Sequence, residues 1–218
     1  MIHRILMLAI NNVMLRRDPV RYFRSHGAEI GEGVEIYGAN LSTFGSEPYL
    51  VSIGNQVTIS HNVDFITHDG GVRVARHKHP GAYLYGRIHV ADNCFLGARC
   101  ILLPGARVGA GSVIGSGSIV TGEIPAGVVA VGAPARPIKS VGDYIDGKKH
   151  LWINTGDLTP KAKRELLLRL LALSLGPQRG HVLAYRIPVP DGIQAATWPA
   201  STKRHSRSSA RNPVAARG

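Results

Sequence analysis

The sequence predicts an all-β solenoid, a stack of short strands separated by frequent turns. Its 218 residues include 26 glycines and only 6% aromatic residues, which suits a core of aliphatic and small side chains. An aliphatic residue opens each of six consecutive six-residue units (hexads) that begin at Val90. A small residue fills the fifth position of most of these hexads. Internal periodicity of this kind is the signature of a repeat architecture.

The hexads keep one phase over much of the chain. Their opening positions are Val90, Leu96, Leu102, Val108, Ile114 and Val120, and their fifth positions are Cys94, Cys100, Ala106, Ser112, Ser118 and Ile124. Ile53, Ile59 and Phe65 continue the same phase upstream, and a first block begins at Ile30 and Ile36. A period of six fits neither an amphipathic helix nor a long alternating strand. Each unit must therefore stack on its neighbours to bury its apolar face.

Residues 1–24 precede the repeat, and we expect an N-terminal helix there. The apolar run that begins at Ile5 ends at Asn11, and no small-residue cleavage site follows, so a secretion signal is disfavoured and a cytoplasmic location is predicted. The apolar positions that would share one helix side are Ile2, Ile5, Leu6, Ala9 and Val13.

The six-residue phase breaks at residues 66–87, a segment that we call the excursion. Long loops that leave a regular scaffold are more often functional than accidental. His68 stands where the regular repeat ends, whereas His61 occupies a turn position within it and is expected at the surface. His77 and His79 flank a lysine within the excursion, where a basic surface and an acceptor contact both remain open. The alternative for His68 is a buried structural histidine that Asp69 or the backbone satisfies.

The chain after residue 140 divides into a helical segment, 141–176, and a basic tail, 177–218. Thr159 is a candidate N-cap ahead of Pro160, and the leucines that follow could cover an open end of the solenoid or bind a partner. The tail carries seven basic residues and one acidic residue out of a net charge of +12 for the chain. Its composition predicts disorder. It is interpreted either as a solvated tail or as an arm in weak contact with an anionic membrane, and nucleic acid is not an expected partner.

Two motifs give the repeat a family resemblance. Residues 115–125 (GSGSIVTGEIP) and 131–138 (VGAPARPI) are similar to the closing signature of the hexapeptide-repeat acyltransferases. Within them, the chain resembles the branch of galactoside and maltose O-acetyltransferases and of capsule and lipopolysaccharide O-acetyltransferases. The resemblance covers residues 25–140 and implies a left-handed parallel β-helix. It also implies a homotrimer whose active sites lie between subunits.

The same resemblance assigns site residues by position. His68 matches the catalytic histidine, and Asn40 and Glu47 match acceptor-binding positions, although Pro48 beside Glu47 departs from the pattern. Asn40 is as well explained by a turn. The positions that match donor-binding residues are Ala98, Ser116, Thr121, Gly122, Arg136 and Lys139. The last two could instead belong to a generic basic surface, and Phe95 replaces a tryptophan often found at its position.

These assignments predict an acetyl-CoA-dependent O-acetyltransferase that acts on a sugar hydroxyl of a surface polysaccharide or its precursor. A neutral imidazole can remove the hydroxyl proton. Direct transfer is expected because Cys94 and Cys100 hold core positions and no G-x-S-x-G elbow is present. An N-acetyltransferase on an amino sugar and a non-catalytic scaffold remain alternatives. A γ-type carbonic anhydrase is disfavoured because the repeat lacks a His-x4-His pair, and no metal is expected.

Overall fold

The computed structural model describes residues 13–172. The chain divides into two compact units, and the boundary in the sequence falls between Lys149 and His150. Within residues 13–149, the first unit contains sixteen short strands, helical residues at 13–17 and two further α-helices. Among the described residues, no helix is long and apolar enough to cross a membrane. The predicted N-terminal helix lies partly outside them: residues 13–17 are helical, whereas Ile2 to Ala9 are not described.

The strands are mostly two residues long. Their bounds are β1 Glu29–Ile30, β2 Glu35–Ile36, β3 Val51–Ile53, β4 Thr58–Ile59, β5 Asp64–Phe65, β6 His68–Asp69, β7 Leu84–Tyr85, β8 Ile88–Val90, β9 Phe95–Leu96, β10 Ile101–Leu102, β11 Arg107–Val108, β12 Val113–Ile114, β13 Ile119–Val120, β14 Glu123–Ile124, β15 Val128–Gly132 and β16 Ala135–Ser140. Sheet 1 has the order β1-β3-β8-β11-β14, sheet 2 has β16-β15-β12-β9-β4-β2, and sheet 3 has β5-β10-β13. Strands β6 and β7 form a separate antiparallel ribbon.

From β3 onward the chain visits the three sheets in a fixed order, and between Val90 and Val120 each circuit advances the sequence by three hexads. In sheet 1, Val90 is in register with Val108; in sheet 2, Leu96 is in register with Ile114. In sheet 3, Leu102 is in register with Phe65 on one side and Val120 on the other. The predicted short strands at hexad spacing are therefore confirmed, and they pair in parallel.

The two predicted interior positions of each hexad are both buried. The openers from Val90 to Val120 and the fifth-position residues from Cys94 to Ser118 are at most 2% exposed. Ile124, predicted as a fifth position, is also buried, but it pairs with the opener Val108, so the prediction of its place in the hexad is wrong: this circuit is two residues shorter than the one before it. The thiols of Cys94 and Cys100 lie 3.2 Å from the carbonyl oxygens of Gly109 and Gly115, respectively. Burial raises the pKa of both thiols, which opposes thiolate formation. Their prediction as core residues is confirmed.

Turns between the strands bring neighbouring circuits close together. At Gly97, a Cβ would lie 2.5 Å from the backbone nitrogen of Ser116, so a larger residue would not fit. Gly117 adopts a φ of +74°, a left-handed conformation that costs glycine little. These glycines allow successive circuits to stack at the sheet spacing.

An aromatic stack continues the core beyond the first circuit. Helix α1 (Pro19–Ser25) begins at the N-cap Asp18, whose carboxylate accepts a hydrogen bond from Arg21 N. Phe23 of this helix stacks on Phe44, with centroids 4.3 Å apart, and Phe44 meets Phe65 edge-on at 4.7 Å. All three rings are buried. A helix thus covers one end of the core, and it comes from the N-terminal side of the repeat.

The last parallel circuit ends in a reversal of the chain. Strand β16 pairs antiparallel with β15, and helix α2 (Val141–Asp146) follows, capped by Ser140. In the second unit, helix α3 (Pro160–Ala172) begins as predicted, because Thr159 Oγ1 accepts a hydrogen bond from Ala162 N at 3.3 Å. The predicted stop at Gly176 and the tail 177–218 lie outside the described residues.

Candidate active site

His68 lies where the chain leaves the three sheets. Strand β5 ends at Phe65, and β6 then pairs antiparallel with β7, which sets His68 opposite Tyr85. Gly86 N donates to Thr67 O at 2.9 Å, so the excursion leaves and rejoins the sheets at one place. Thr67 is fully buried, whereas the side chain of His68 is 43% exposed. The imidazole of His68 therefore extends from a buried, hydrogen-bonded backbone segment, with its ring open to solvent.

Glu47 orients the imidazole. The His68 Nδ1 and Glu47 Oε2 atoms are 3.0 Å apart, and Thr67 Oγ1 donates to the same oxygen at 2.6 Å. A carboxylate oxygen can only accept here, so Nδ1 carries the hydrogen and Nε2 keeps its lone pair. Among the described residues, none bonds Nε2. The ring thus presents a proton acceptor outward.

The carboxylate of Glu47 is held in its ionised form. Desolvation, with this side chain only 14% exposed, raises the pKa of Glu47. Hydrogen bonds to Thr67, His68 and Ser46 together outweigh that effect, so the net pKa lies below the usual value. An ionised carboxylate beside Nδ1 favours the protonated ring that would form after proton transfer.

The structural alternative for His68 is not supported by its contacts. Asp69 Oδ1 accepts from Gly71 N at 2.7 Å and caps the turn that follows, and it does not bond the imidazole. The ring of His68 is not buried. Of the other candidate histidines, His61 stacks on Tyr37 at the surface as expected, and His77 Nδ1 lies 2.9 Å from Val74 O.

Two of the predicted donor-binding positions share the turn between sheets 2 and 3, which we call corner 1 (residues 97–99 and 115–117). Gly117 N donates to Ala98 O at 2.8 Å, so Ala98 and Ser116 stand on adjacent circuits. Next to them, a Cβ at Gly115 would lie 2.6 Å from the side chain of Val131, whose cross-strand partner is Arg136. Ala98, Ser116 and Arg136 thus follow one another along the stack.

The remaining donor positions are spread more widely. Thr121 and Gly122 follow β13 in the turn between sheets 3 and 1, which we call corner 2 (residues 103–105 and 121–122). The excursion that carries His68 leaves from the same corner two circuits before Thr121. Lys139 lies on β16 opposite Val129, exposed as Arg136 is. Corners 1 and 2 flank sheet 3, so the structure places His68 and the Ala98–Ser116 row on opposite sides of that sheet.

Asn40 and Phe95 occupy exposed positions. The Asn40 side-chain oxygen accepts from Ser42 N at 2.8 Å and from Ser42 Oγ at 2.5 Å, the arrangement of an asparagine turn. Within one chain, the structure does not bring Asn40 to His68. Phe95 is 44% exposed on the outer face of sheet 2.

Sequence reasoning missed two neighbours of His68. Glu47 was expected to bind the acceptor, but the structure joins it to the imidazole; Tyr85 meets the His68 ring edge-on with centroids 6.1 Å apart. No spacing rule links Glu47 to a residue on another circuit. The Tyr83-x-Tyr85 alternation was the available signal for an aromatic surface. Among residues 13–172, no group of three or more histidine, cysteine or acidic side chains is arranged to hold a metal ion.

Comparison with known proteins agrees with the repeat. The profile of the family described as bacterial transferase hexapeptide (six repeats) matches residues 79–122. Protein CapG of Staphylococcus aureus is 42% identical over 139 residues, which are 64% of this chain and 79% of that protein. The galactoside O-acetyltransferases of Escherichia coli and Lactococcus lactis are 36% and 35% identical, over 58% and 61% of this chain. The chain spans 61% and 65% of those two enzymes, a little under two thirds of each.

Among solved structures, a galactoside acetyltransferase in complex with coenzyme A is 27% identical, with a TM-score of 0.40 over 57% of this chain and 71% of that one. The repeat, its buried ladder and the extent of the match to protein CapG define the class of protein: a hexapeptide-repeat transferase. This chain belongs to the hexapeptide-repeat acyltransferase superfamily, in the branch that contains protein CapG and the galactoside O-acetyltransferases.

Proposed function

We propose that this protein is an acetyl-CoA-dependent O-acetyltransferase that acylates a sugar hydroxyl of a surface polysaccharide or its precursor. The observation that carries the proposal is the contact of His68 Nδ1 with Glu47 Oε2 at 3.0 Å, which leaves Nε2 open to solvent. The names of the two galactoside O-acetyltransferases, each above 30% identity, support the reaction class.

The chemistry follows from this geometry as a direct transfer. Nε2 of His68 accepts the proton of the sugar hydroxyl while the oxygen attacks the thioester carbonyl. The new C–O bond forms, the C–S bond breaks, and the proton passes to the departing thiolate. Glu47 fixes the ring and stabilises its positive charge during the step. No acyl-enzyme is required, because Cys94 and Cys100 are buried and their thiols are hydrogen-bonded to backbone.

The donor is proposed to lie along corner 1, where backbone groups are accessible between circuits. Ala98 and Ser116 would border its pantetheine arm, and Thr121 and Gly122 would contact it from corner 2 of a neighbouring copy. Arg136 and Lys139 are both exposed and lie three residues apart on β16, so they would meet the phosphates of the nucleotide end. Asn40, from a neighbouring subunit, remains a proposed acceptor-side residue, whereas Glu47, which the sequence predicts to bind the acceptor, is proposed instead to act through His68.

The proposal includes a left-handed β-helix over residues 25–140 and a homotrimer. Ile101 and Ile119 are only half-buried on the outer face of sheet 3, between the two corners that carry the proposed groups. A second copy against this face would cover them and bring His68 near another copy's corner 1. The flanking segments 1–24, 141–176 and 177–218 are proposed to lie outside the catalytic domain. A cytoplasmic location is proposed because both cysteines are unpaired.

The test is an acceptor panel with acetyl-CoA as donor. Neutral, acidic and amino sugars are incubated with the protein, and release of free coenzyme A thiol and the mass of the product are measured. Acetyl esters that depend on His68 support the proposal. Amide products formed only from amino sugars would indicate the N-acetyltransferase. A protein that neither binds acetyl-CoA nor reacts with it would be a non-catalytic scaffold.

A further inference from the structure

Two tyrosines of the excursion form an exposed aromatic surface beside His68. The rings of Tyr83 and Tyr85 stack with centroids 5.9 Å apart and an interplanar angle of 15°. They remain 60% and 52% exposed, and Tyr85 also meets the ring of His68. Stacked rings held open to solvent offer a flat apolar face with polar hydroxyls at its rim. The C–H face of a sugar ring is complementary to such a surface.

A cation lies over one face of the Tyr83 ring, at the end of this surface that is far from His68. The Arg76 guanidinium lies 4.0 Å from the centroid of the Tyr83 ring, and its Nε donates to Ala82 O at 3.0 Å. Within residues 13–172, the terminal nitrogens of Arg76 make no hydrogen bond and no ion pair. The side chain is therefore fixed by its stem and its stacking, while its two NH2 groups are available to an anion.

The rest of the excursion carries charge of the same sign. Residues 70–87 include Arg73, Arg76, Lys78 and Arg87 and contain no aspartate or glutamate. The nearest acid in sequence, Asp69, is occupied as the cap of Gly71 N. A surface of one sign beside an apolar face attracts ligands of the opposite charge and disfavours cationic ones.

We infer that the Tyr83–Tyr85 surface and Arg76 form an acceptor subsite for an anionic oligosaccharide. This inference rests on the proposed function, because it assigns the substrate class of that same site. One sugar ring stacks on the tyrosines with its hydroxyl toward His68 Nε2. The carboxylate or phosphate of that sugar or of the next one pairs with the Arg76 guanidinium. These side chains form a continuous row in the order His68, Tyr85, Tyr83 and Arg76. The sugar hydroxyl is therefore bound at the His68 end, and the anionic group is bound at the Arg76 end.

A matched pair of probes tests the charge. Trigalacturonate and its fully methyl-esterified form differ only in the charge of their carboxyl groups, and a phosphate-bearing galactose trisaccharide separates phosphate from carboxylate recognition. Binding is measured by saturation-transfer NMR and tyrosine fluorescence, and transfer by coenzyme A release. We expect the wild type to bind at least one of the two anionic probes about tenfold or more tightly than the ester.

Variants locate that preference. Arg76→Gln is expected to abolish the discrimination between charged and esterified sugar while leaving KM for acetyl-CoA unchanged. Arg107→Gln removes the same charge from the outer face of sheet 1 and serves as the matched control. Tyr83→Phe keeps the stacking face and is expected to bind as the wild type does, whereas Tyr83→Ala loses affinity for every sugar probe. Circular dichroism and melting temperature establish that each variant is folded.

The outcomes separate this inference from the proposed function. Transfer that proceeds equally well to charged and neutral sugars, or a preference that Arg76→Gln leaves intact, overturns the subsite and leaves the acetyltransferase standing. Arg76-dependent binding of an anionic probe without acetyl transfer to any sugar overturns the function and leaves the subsite. Equal binding of all three probes in the wild type overturns the subsite directly.

Discussion

A single imidazole is the residue on which the proposed chemistry depends. We expect His68→Ala to lower kcat by roughly 10²–10⁴-fold, the usual range for a positioned proton acceptor. KM for acetyl-CoA should change little, because the proposed donor contacts lie on other residues. His61→Ala, on the exposed turn after β4, is the control. A folded His68→Ala protein with wild-type kcat would exclude this mechanism.

Glu47 is expected to act through His68 as a positioning residue. Glu47→Gln keeps the shape but can donate its amide hydrogen to Nδ1, which favours the ring tautomer that lacks a free Nε2 lone pair. We expect kcat to fall by about tenfold or more with KM for the sugar changed little, and Glu47→Asp to recover part of the rate. Glu123→Gln, exposed on β14, is the control. A rise in KM at constant kcat would return Glu47 to acceptor binding.

The same carboxylate makes stability depend on pH. Because the pKa of Glu47 is lowered from the ordinary value of 4.5, its stabilising contribution is fully present above that value. It is lost as the pH falls through the lowered folded pKa. We therefore expect the melting temperature of wild type to exceed that of Glu47→Gln above about pH 6, and the gap to close as the pH falls below 4.5. A gap that persists in acid would show that packing, and not ionisation, stabilises the contact.

At the scale of single elements, the hexads were predictable and the ends of the stack were not. Openers such as Leu96 and Ile114 recur with fixed period because each must fill the same interior place in successive circuits. Phe44 belongs to no hexad, and its role appears only when the chain brings Phe23 and Phe65 against it. Likewise, His68 was predictable because the six-residue phase breaks beside it. Its contact with Glu47, 21 residues earlier, exists only in the folded chain and follows from no pattern in the sequence.

The two basic residues of strand β16 give a prediction about the binding of acetyl-CoA. Arg136→Ala with Lys139→Ala is expected to raise KM for acetyl-CoA about tenfold while kcat at saturation stays close to wild type, since the contact is made before the transition state. With S-acetylpantetheine, which lacks the nucleotide and its charged phosphates, the double variant and the wild type should behave alike. An equal defect with both donors would place these residues outside the nucleotide site.

At the scale of the whole molecule, we expect three copies to share three active sites. With a chain mass of 23.4 kDa, light scattering should give about 70 kDa for the assembly. His68→Ala and the Arg136→Ala, Lys139→Ala double variant should each be weakly active at low acetyl-CoA. Unfolded together and refolded as mixed oligomers, they should regain activity, because some sites then combine an intact histidine with an intact donor corner.

Mixtures of either variant with itself are the control for that experiment. Activity of the mixed oligomers that merely averages the two parents would mean that each subunit completes its own site. A stable monomer at micromolar concentration would remove the shared site altogether.

The hydrogen bond from Gly86 N to Thr67 O closes the excursion at its base, and β5 still pairs in register with β10 across it. The length and sequence of the excursion therefore do not affect the strand pairing on either side of it. Evolution or protein engineering can therefore replace the segment between Thr67 and Gly86 without changing the registers of the strands on either side. Exchange of this one short segment would alter the proposed specificity for the sugar acceptor and leave the buried core of the solenoid as it is.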